Sequence, residues 1–332
     1  MTQSAIPIGS YPTPIERLAT LGTAKTTLWV KRDDLTNPTY GGNKVRKLER
    51  LIAEAQRRGK SRVVTVGAAG SHHVLATALF GKRAGLEVDA ILVPQRQTAH
   101  VLENLRIDAA LGARLFTART YAGAALGLVA HAGRDAYVVP MGGSNVIGSL
   151  GYVDAAFELA EQVKAGAMPE PDAVVVTVGS GGTAAGLAAG LRLAGLRARL
   201  IGVVVAAPPL FVRFWTRHLA RAAFWHHANE KGLQIKTAPA RGIEFTSRYL
   251  GAGYGEPTEA GAKATEIAAG VGLELDATYT AKCFAATLDY VQSARFEHVL
   301  YWHTLSSAPL APLLAGAPEE AALAPALRKL LR

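Results

Sequence analysis

The first candidate for chemistry is a lysine that directly follows a glycine-rich turn. Gly41-Gly42-Asn43-Lys44 leads into a helical pattern of apolar residues at Val45, Leu48, Leu51 and Ile52. Burial beside such a turn would lower the pKa of Lys44, because desolvation disfavours the ammonium form. A neutral lysine amine is a nucleophile that attacks carbonyl compounds. Lys44 is therefore the first catalytic candidate, and the alternative is an exposed lysine after a loop.

The second candidate is a phosphate-binding turn. Gly179-Ser180-Gly181-Gly182-Thr183 leaves an apolar strand and opens a helix, where backbone amides can bind an anion. The Gly-Lys-Ser/Thr of a nucleotide-binding P-loop is absent. A dinucleotide fingerprint would need an acidic residue about 20 positions further on, and residues 203–209 contain none. The turn predicts a site for a single phosphate, with a purely structural turn as the alternative.

A Schiff-base lysine and a monophosphate site in an α/β chain point to pyridoxal phosphate. Several stretches also resemble the fold-type-II pyridoxal-phosphate enzymes, specifically the family of D-cysteine desulfhydrase and 1-aminocyclopropane-1-carboxylate (ACC) deaminase. They lie in the family's order across nearly the whole chain: 31–34, 41–49, 67–74, 140–145, 148–152, 179–183, 253–255 and 277–282.

The resemblance implies a role for each matching residue. Lys44 would hold the cofactor, and Gly179, Ser180, Gly181, Gly182 and Thr183 would bind its phosphate. Ser71 would touch the substrate carboxylate or assist proton transfer, and Tyr254 and Tyr279 would flank the substrate. Thr280 or Thr304 would face the pyridine nitrogen. A neutral hydroxyl there leaves that nitrogen unprotonated, which suits β-elimination.

Two positions bear on the substrate. ACC deaminases carry a glutamate after the tyrosine, where this chain has Thr280, and this favours the D-cysteine type. A later position is threonine in the desulfhydrases and leucine in the ACC deaminases. It corresponds here to Thr304 or to Leu305, depending on which neighbouring motif is aligned.

Other departures from the family cluster where the substrate would lie. His72 replaces an asparagine that usually bonds the cofactor's ring oxygen, and a histidine can donate the same bond. Gly70 replaces a glutamine, and Ser306-Ser307 replace two glycines. These changes bear on the substrate more than on the cofactor.

The resemblance implies α,β-elimination and deamination of a small amino acid, with D-cysteine giving pyruvate, ammonia and hydrogen sulfide as the first expectation. The alternatives are ACC deamination, a lyase or β-replacement enzyme for another β-substituted amino acid such as cysteate, and an inactive ligand-binding relative. Family members are often homodimers, so a homodimer is expected.

The elements that position these residues alternate between strand and helix. From Val63 onwards, short apolar strands are separated by helical stretches, which predicts βαβ units and parallel sheets. The resemblance implies a two-lobed fold similar to the tryptophan synthase β subunit, with parallel-rich sheets flanked by helices. Residues 52–158 are predicted to form a small domain, and residues 1–51 with 159–332 a large pyridoxal-phosphate-binding domain. The site is expected between them, at the carboxyl ends of the strands.

Four further features of the sequence are interpreted as structural and not as parts of the site. Asp33-Asp34 is predicted to be a solvated turn. The aromatic stripe Phe211, Phe214, Trp215, Phe224 and Trp225 is predicted to be core or lobe packing. His100, His131 and His298 are interpreted as ordinary surface or satisfied residues. No metal site is predicted, because the adjacent side chains of His72-His73 and His226-His227 diverge and nothing completes a ligand shell.

Composition restricts the class of protein. The chain has 332 residues, 49% of them hydrophobic, and a net charge of +10. Its basic residues are scattered without an aromatic-interleaved cluster, so we expect no nucleic-acid partner. The sequence also predicts no signal peptide and no membrane span. Its single cysteine, Cys283, fits a reducing compartment, and the expected location is the cytoplasm.

Overall fold

A computed structural model describes residues 7–206, 208–234 and 242–331. The strands are β1 Ile15–Arg17, β2 Thr27–Arg32, β3 Arg62–Ala68, β4 Glu87–Val93, β5 Arg114–Thr117, β6 Ala136–Val139, β7 Ala173–Val178, β8 Arg199–Val204, β9 Glu244–Thr246 and β10 His298–His303. The helices are α1 Asn43–Arg57, α2 His72–Arg83, α3 Ala99–Ala110, α4 Tyr121–His131, α5 Val146–Lys164, α6 Gly182–Leu193, α7 Pro209–Glu230, α8 Glu259–Ala269, α9 Thr280–Gln292, α10 Ala311–Leu314 and α11 Pro325–Arg328.

The strands form two parallel-rich sheets, as predicted. The larger has the order β1-β2-β10-β7-β8-β9, in which only the β1–β2 pair is antiparallel. The smaller has the order β5-β4-β3-β6 and is parallel throughout. β7 is buried along its whole length, as expected for a central strand covered by helices on both faces.

The strands divide between the sheets in the same way as the predicted domains. All four strands of the smaller sheet lie within residues 52–158, and the other six lie outside that range. The domain boundaries themselves fall inside α1 and α5, two helices that pack against each other. The division into two domains stays a prediction.

A buried cluster of charged side chains links α1 to neighbouring elements. It includes Asp33, so the prediction of a solvated Asp33-Asp34 turn is wrong. Asp33 is fully buried and accepts hydrogen bonds from Thr13, Arg46, Tyr152 and Trp302, at distances from 2.7 to 3.0 Å. Asp34 is also buried and pairs with Arg32 at 2.7 Å. Tyr152 and Trp302 lie 119 and 269 positions from Asp33, so local composition gave no sign of them.

Glu158 on α5 completes this cluster. It pairs with Arg46 at 2.9 Å and with the buried Lys31 at 2.5 Å. Burial acts to raise the pKa of Asp33, but the positive charge and hydrogen bonds of Arg46 outweigh it and hold that pKa below its ordinary value. The cluster therefore keeps a carboxylate charged in the protein interior.

The aromatic stripe of α7 divides into two halves. Phe224 packs in the core beside Leu150 and Val153, as predicted. Phe211 and Phe214 are 62% and 68% exposed, so the prediction of core packing is wrong for the first turns of the helix. Within the described ranges, no helix is long and apolar enough to cross a membrane.

We expect the Asp33→Asn variant to lose about 3 kcal/mol of unfolding free energy, because it leaves the buried Arg46 short of a charge partner. Denaturant unfolding at neutral pH measures this. Since the pKa of Asp33 is lowered in the folded state, its contribution is present above its unfolded pKa and is lost as the pH falls through the folded pKa. The control is Asp135→Asn, which removes a half-exposed carboxylate paired with Arg62; a surface pair contributes about 1 kcal/mol or less. Equal losses in both variants would contradict this role of Asp33.

Candidate active site

A cavity of about 550 Å³ lies where the parallel strands of both sheets end. Its wall includes Ala68 at the end of β3, Pro140 after β6, Gly179 after β7 and Thr304 after β10. Ligands of open parallel sheets bind at this edge. The cavity brings together nearly all of the residues predicted for the site: Lys44, Ser71, His72, Gly179, Ser180, Gly181, Thr183, Tyr254, Tyr279, Thr280 and Thr304.

Lys44 enters the cavity from the first turn of α1. Gly42 before it has φ of 85°, and a Cβ there would lie 2.7 Å from the carbonyl oxygen of Thr304, so only glycine fits. The ammonium nitrogen of Lys44 donates to Oδ1 of Asn43 at 2.7 Å. Burial lowers the pKa of Lys44 to about 8, although the charge of Asp276 opposes this shift. Lys44 thus has the partly neutral amine that Schiff-base chemistry requires.

The glycine turn from β7 to α6 lies opposite Lys44. The hydroxyls of Ser180 and Ser144 are 2.7 Å apart, and the amide of Gly182 donates to the Ser144 oxygen at 3.1 Å. The side-chain amide of Asn43 donates to the Thr183 hydroxyl at 3.0 Å. Gly182 is the one predicted phosphate residue that does not line the cavity, since its amide faces Ser144.

Lys47 is a functional candidate that the sequence reasoning missed. It is buried, lines the cavity and donates to the carbonyl of Gly142 at 3.0 Å. No described acidic residue forms an ion pair with it. Burial, together with the nearby charge of Lys44, lowers its pKa well below the ordinary value. Its spacing of three residues from Lys44 on one helix face was the available signal.

Lys47 has no acidic partner among the described residues, and it lies near hydroxyls and the amino terminus of α6. Such a site fits a phosphate group. A bound phosphate would supply the negative charge that Lys47 lacks, and the amino-terminal end of α6 favours an anion. The residues of the cavity therefore fit pyridoxal phosphate at both of its ends, with Lys44 for the aldehyde and Lys47 with residues 179–183 for the phosphate.

The two tyrosines meet at the cavity wall. The hydroxyls of Tyr254 and Tyr279 are hydrogen-bonded to each other. Burial, followed by the effect of Tyr254, raises the pKa of Tyr279 well above its ordinary value. Both phenols are therefore held neutral as potential proton donors to a ligand.

Asp276 fixes the segment that carries Tyr279 and Thr280. Its carboxylate accepts from the Tyr279 amide at 2.7 Å and from the Thr280 hydroxyl at 2.8 Å. The Thr280 hydroxyl in turn accepts from the Asp276 amide at 2.7 Å. Asp276 also lines the cavity, and no sequence pattern pointed to this carboxylate.

Ser71 and His72 begin helix α2 at the cavity wall. The Ser71 hydroxyl caps the helix by accepting from the Val74 amide at 3.4 Å. His72 contacts the Tyr40 hydroxyl through Nδ1 at 2.6 Å and His100 through Nε2 at 3.0 Å. His100 is satisfied by its contacts with His72 and Asn104, as interpreted, and the first of these contacts places it behind a residue of the cavity wall.

The two serines after Thr304 fasten the cavity wall. Ser306 accepts from the Gly41 amide at 2.8 Å, and Ser307 donates to Asp34 at 2.5 Å. Thr304 and Leu305 are the two candidates for the position that is threonine in the desulfhydrases and leucine in the ACC deaminases. Both line the cavity. The serine pair joins this loop to the lysine turn.

A second cavity, of about 650 Å³, lies at the opposite edge of the larger sheet, and its charged wall includes Arg197 and Glu170, which pair with each other. It contains none of the predicted residues. Among the residues that the structure describes, no group of three or more His, Cys, Asp or Glu side chains could hold a metal ion.

Comparison with known proteins agrees with this geometry. Residues 6–302 match the family of pyridoxal-phosphate dependent enzymes. The chain belongs to this family. It is therefore an enzyme whose cofactor is pyridoxal phosphate, and the cofactor inferred from Lys44 and the glycine turn is confirmed.

Individual relatives are similar to this chain over nearly its whole length. The chain is 36% identical over 314 residues to a D-cysteine desulfhydrase of Klebsiella pneumoniae (strain 342), covering 88% of this chain and 91% of that protein. A solved ACC deaminase homologue superposes with a TM-score of 0.79 at 29% identity, covering 94% and 96% of the two chains. A fungal L-serine ammonia-lyase from Rhizomucor miehei shares the fold, with a TM-score of 0.63 at 17% identity over 91% and 96%.

The lowered pKa of Lys44 predicts how cofactor uptake depends on pH. We expect the cofactor-free protein to take up pyridoxal phosphate faster as the pH rises through about 8, because the neutral fraction of Lys44 grows there. An ordinary lysine would show this rise near pH 10. Visible absorbance of the bound cofactor measures the rate.

Two variants control this measurement. Lys44→Ala should abolish the pH-dependent uptake, whereas Lys263→Ala, at an exposed lysine paired with Glu259, should leave it unchanged. A rate that keeps climbing to pH 10 would show that Lys44 is not the group that titrates.

Proposed function

We propose that this chain is a lyase that converts D-cysteine and water into pyruvate, ammonia and hydrogen sulfide. The observation that carries the proposal is Thr280, a neutral residue at the position where ACC deaminases have a glutamate. Its hydroxyl is held by Asp276 at the start of α9. The likeness to a D-cysteine desulfhydrase over 88% of the chain supports the same substrate.

The cofactor, when bound, withdraws electrons from the α-carbon of an amino acid and so makes its proton acidic. In our proposal, Nζ of Lys44 would hold the cofactor until the amine of the substrate displaces it. The freed Nζ, or a neighbouring group, would then accept the α-proton, as the lowered pKa of Lys44 allows. The neutral hydroxyls of Tyr254 and Tyr279 flank the substrate, and one of them donates a proton to the leaving sulfur. Ser71 binds the substrate carboxylate or assists the proton transfer.

The remaining residues hold the cofactor in this proposal. Lys47 and residues 179–183 bind the phosphate, with Ser144 positioning the turn through Ser180. Thr280 or Thr304 faces the pyridine nitrogen, and His72 lies beside the ring. All of these residues except Gly182 lie on the cavity wall, and this placement supports the assignments.

ACC deamination is the second candidate function. It is favoured by the superposition on an ACC deaminase homologue and by Leu305, if that residue is the one that corresponds to the leucine of those enzymes. A lyase or β-replacement enzyme for another β-substituted amino acid, such as cysteate, would use the same cavity residues.

We further propose that the protein is a cytoplasmic homodimer with the two domains described above. The apolar side chains Leu210, Phe211 and Phe214 are 62% to 78% exposed on the first turns of α7, and a second copy of the chain would cover them. The single cysteine, Cys283, is a free and buried thiol, which suits a reducing compartment.

The substrate proposal predicts a specific product pattern. The protein loaded with pyridoxal phosphate should release pyruvate and sulfide in equal amounts from D-cysteine, and far less from L-cysteine. ACC should give no keto acid. Keto-acid and sulfide assays on each compound measure this, with Lys44→Ala as the inactive control that should lose at least about a thousandfold in rate, as expected for removal of a covalent catalyst.

Other outcomes would indicate a different substrate or an inactive protein. Keto acid from ACC would contradict the role given to Thr280 and favour the second candidate. Product from cysteate alone would move the function to another β-substituted substrate. A bound cofactor whose spectrum responds to none of these amino acids would support the inactive-relative alternative.

A further inference from the structure

A chain of hydrogen bonds runs along the cavity wall behind His72. It begins at the backbone carbonyl of Gly70, passes through Asn104 and His100 on α3, and reaches His72 and then Tyr40. Its four links measure 2.9, 3.1, 3.0 and 2.6 Å. Because His72 and Tyr40 both line the cavity, the direction of this chain decides which hydrogen-bonding groups the wall offers a ligand.

The amide of Asn104 sets the direction at the first link. The group that lies 2.9 Å from the Gly70 carbonyl must be the amide nitrogen, because the amide oxygen would face another lone pair there. The same NH₂ group lies 3.1 Å from Nε2 of His100 and donates its second hydrogen to it. Nε2 of His100 is therefore unprotonated and acts as an acceptor.

The second link follows from the first. Nε2 of His72 lies 3.0 Å from Nε2 of His100, and two lone pairs cannot face each other at that distance. His72 must therefore carry its proton on Nε2 and donate it to His100. His100 shares its one lone pair between this donor and Asn104.

The third link reaches the cavity. Burial, the neighbouring His100 and the charge of Lys44 all lower the pKa of His72 well below its ordinary value, so the ring is neutral. With its proton on Nε2, its Nδ1 is a lone pair that accepts from the Tyr40 hydroxyl at 2.6 Å. Both nitrogens of His72 and the hydroxyl proton of Tyr40 are thus already used.

We propose that Asn104 and His100 are positioning residues that fix His72 as its Nε2-protonated tautomer, so that the His72–Tyr40 wall offers a ligand an acceptor and no donor. The acceptor is the phenol oxygen of Tyr40, whose own proton is given to His72. A ligand group bound against it must carry an N–H or O–H. This reverses the expectation that His72 donates to the ring oxygen of the cofactor, and it rests on the proposed function only in taking this cavity as the active site.

Gly70 makes the arrangement sterically possible. A Cβ at this position would lie 2.7 Å from Cα of Val101 on α3, so the first turn of α3 packs directly on the Gly70 backbone. The Gly70 amide is held by Gln95 at 3.0 Å. Any side chain at position 70 would push α3 away and separate His100 from His72. Gly70 and His72 are therefore coupled through the position of α3.

Charged groups from three elements face this chain. Lys44 on α1 disfavours a proton on His72. Burial lowers the pKa of His100, while Asp276 before α9 and Glu103 on α3 oppose that shift. Burial, then Asp108 on α3 and Asp276, raise the pKa of Tyr40, which keeps its hydroxyl protonated. Burial is the largest effect on all three groups, and it favours two neutral imidazoles and a neutral phenol.

The test reads the tautomers directly from ¹⁵N chemical shifts of the full chain labelled only in histidine. His72 should show a protonated Nε2 and an unprotonated Nδ1, and His100 the reverse, both with and without bound pyridoxal phosphate. Neither ring should titrate near pH 6.5, the ordinary value for histidine. The His72→Asn and His100→Phe variants assign the signals.

Two substitutions at position 100 separate positioning from packing. In His100→Phe the ring contact stays but the acceptor is lost, so His72 should populate both tautomers. In His100→Gln the Asn104 amide turns the new side-chain oxygen towards His72, so the wild-type tautomer should return. His218→Gln, at an exposed histidine of α7, should change neither signal.

The proposal is overturned if Nδ1 of His72 is protonated, in either the cofactor-free or the loaded protein, or if His100→Phe leaves both His72 shifts unchanged. If His100→Phe fails to fold, the wild-type spectrum still decides the tautomer, because the His72→Asn variant assigns the His72 signals. Because no amino-acid substrate is used, the result does not depend on whether D-cysteine is turned over, and failure of the proposed substrate leaves this test intact.

Discussion

The buried ion pair of Arg46 and Asp33 fixes where helix α1 lies, and most of the active site depends on that helix. Asp33 also accepts hydrogen bonds from Tyr152 on α5 and from Trp302 on β10. On another face of the same helix, Lys44 and Lys47 point into the cavity, where no described acidic residue forms an ion pair with either. On one side of α1, a protein carboxylate therefore neutralises the charge of Arg46. The side that carries Lys44 and Lys47 fits an anionic cofactor instead.

This distribution of charge explains why one short segment carries so much of the function. Lys44 and Lys47 both have lowered pKa values because of burial. A cavity with two such lysines has a place for one aldehyde and one phosphate, the two reactive ends of pyridoxal phosphate. The hydrogen bonds of Ser306 and Ser307 to Gly41 and Asp34 hold the opposite loop against the same turn.

The predictions that succeeded depend on local sequence signals. The alternation of strands and helices, the lysine turn and the glycine turn each lie within a few consecutive residues, so pattern and glycine placement are sufficient. The errors involve partners that are distant in sequence. Asp33 bonds to Trp302, 269 positions away, and Lys47 bonds to Gly142, 95 positions away. Likewise, a helical aromatic pattern does not show which turns of α7 are covered, and a lone His100 does not show that α3 packs on Gly70.

We infer that Lys44, and not the more deeply buried Lys47, is the residue to which the cofactor is attached. Borohydride treatment of the loaded protein makes a lysine–pyridoxal phosphate bond permanent, and mass spectrometry of the digested protein then locates it. We expect the added mass on Lys44 alone, with Lys47 unmodified. Attachment to Lys47, or modification spread over exposed lysines, would contradict it.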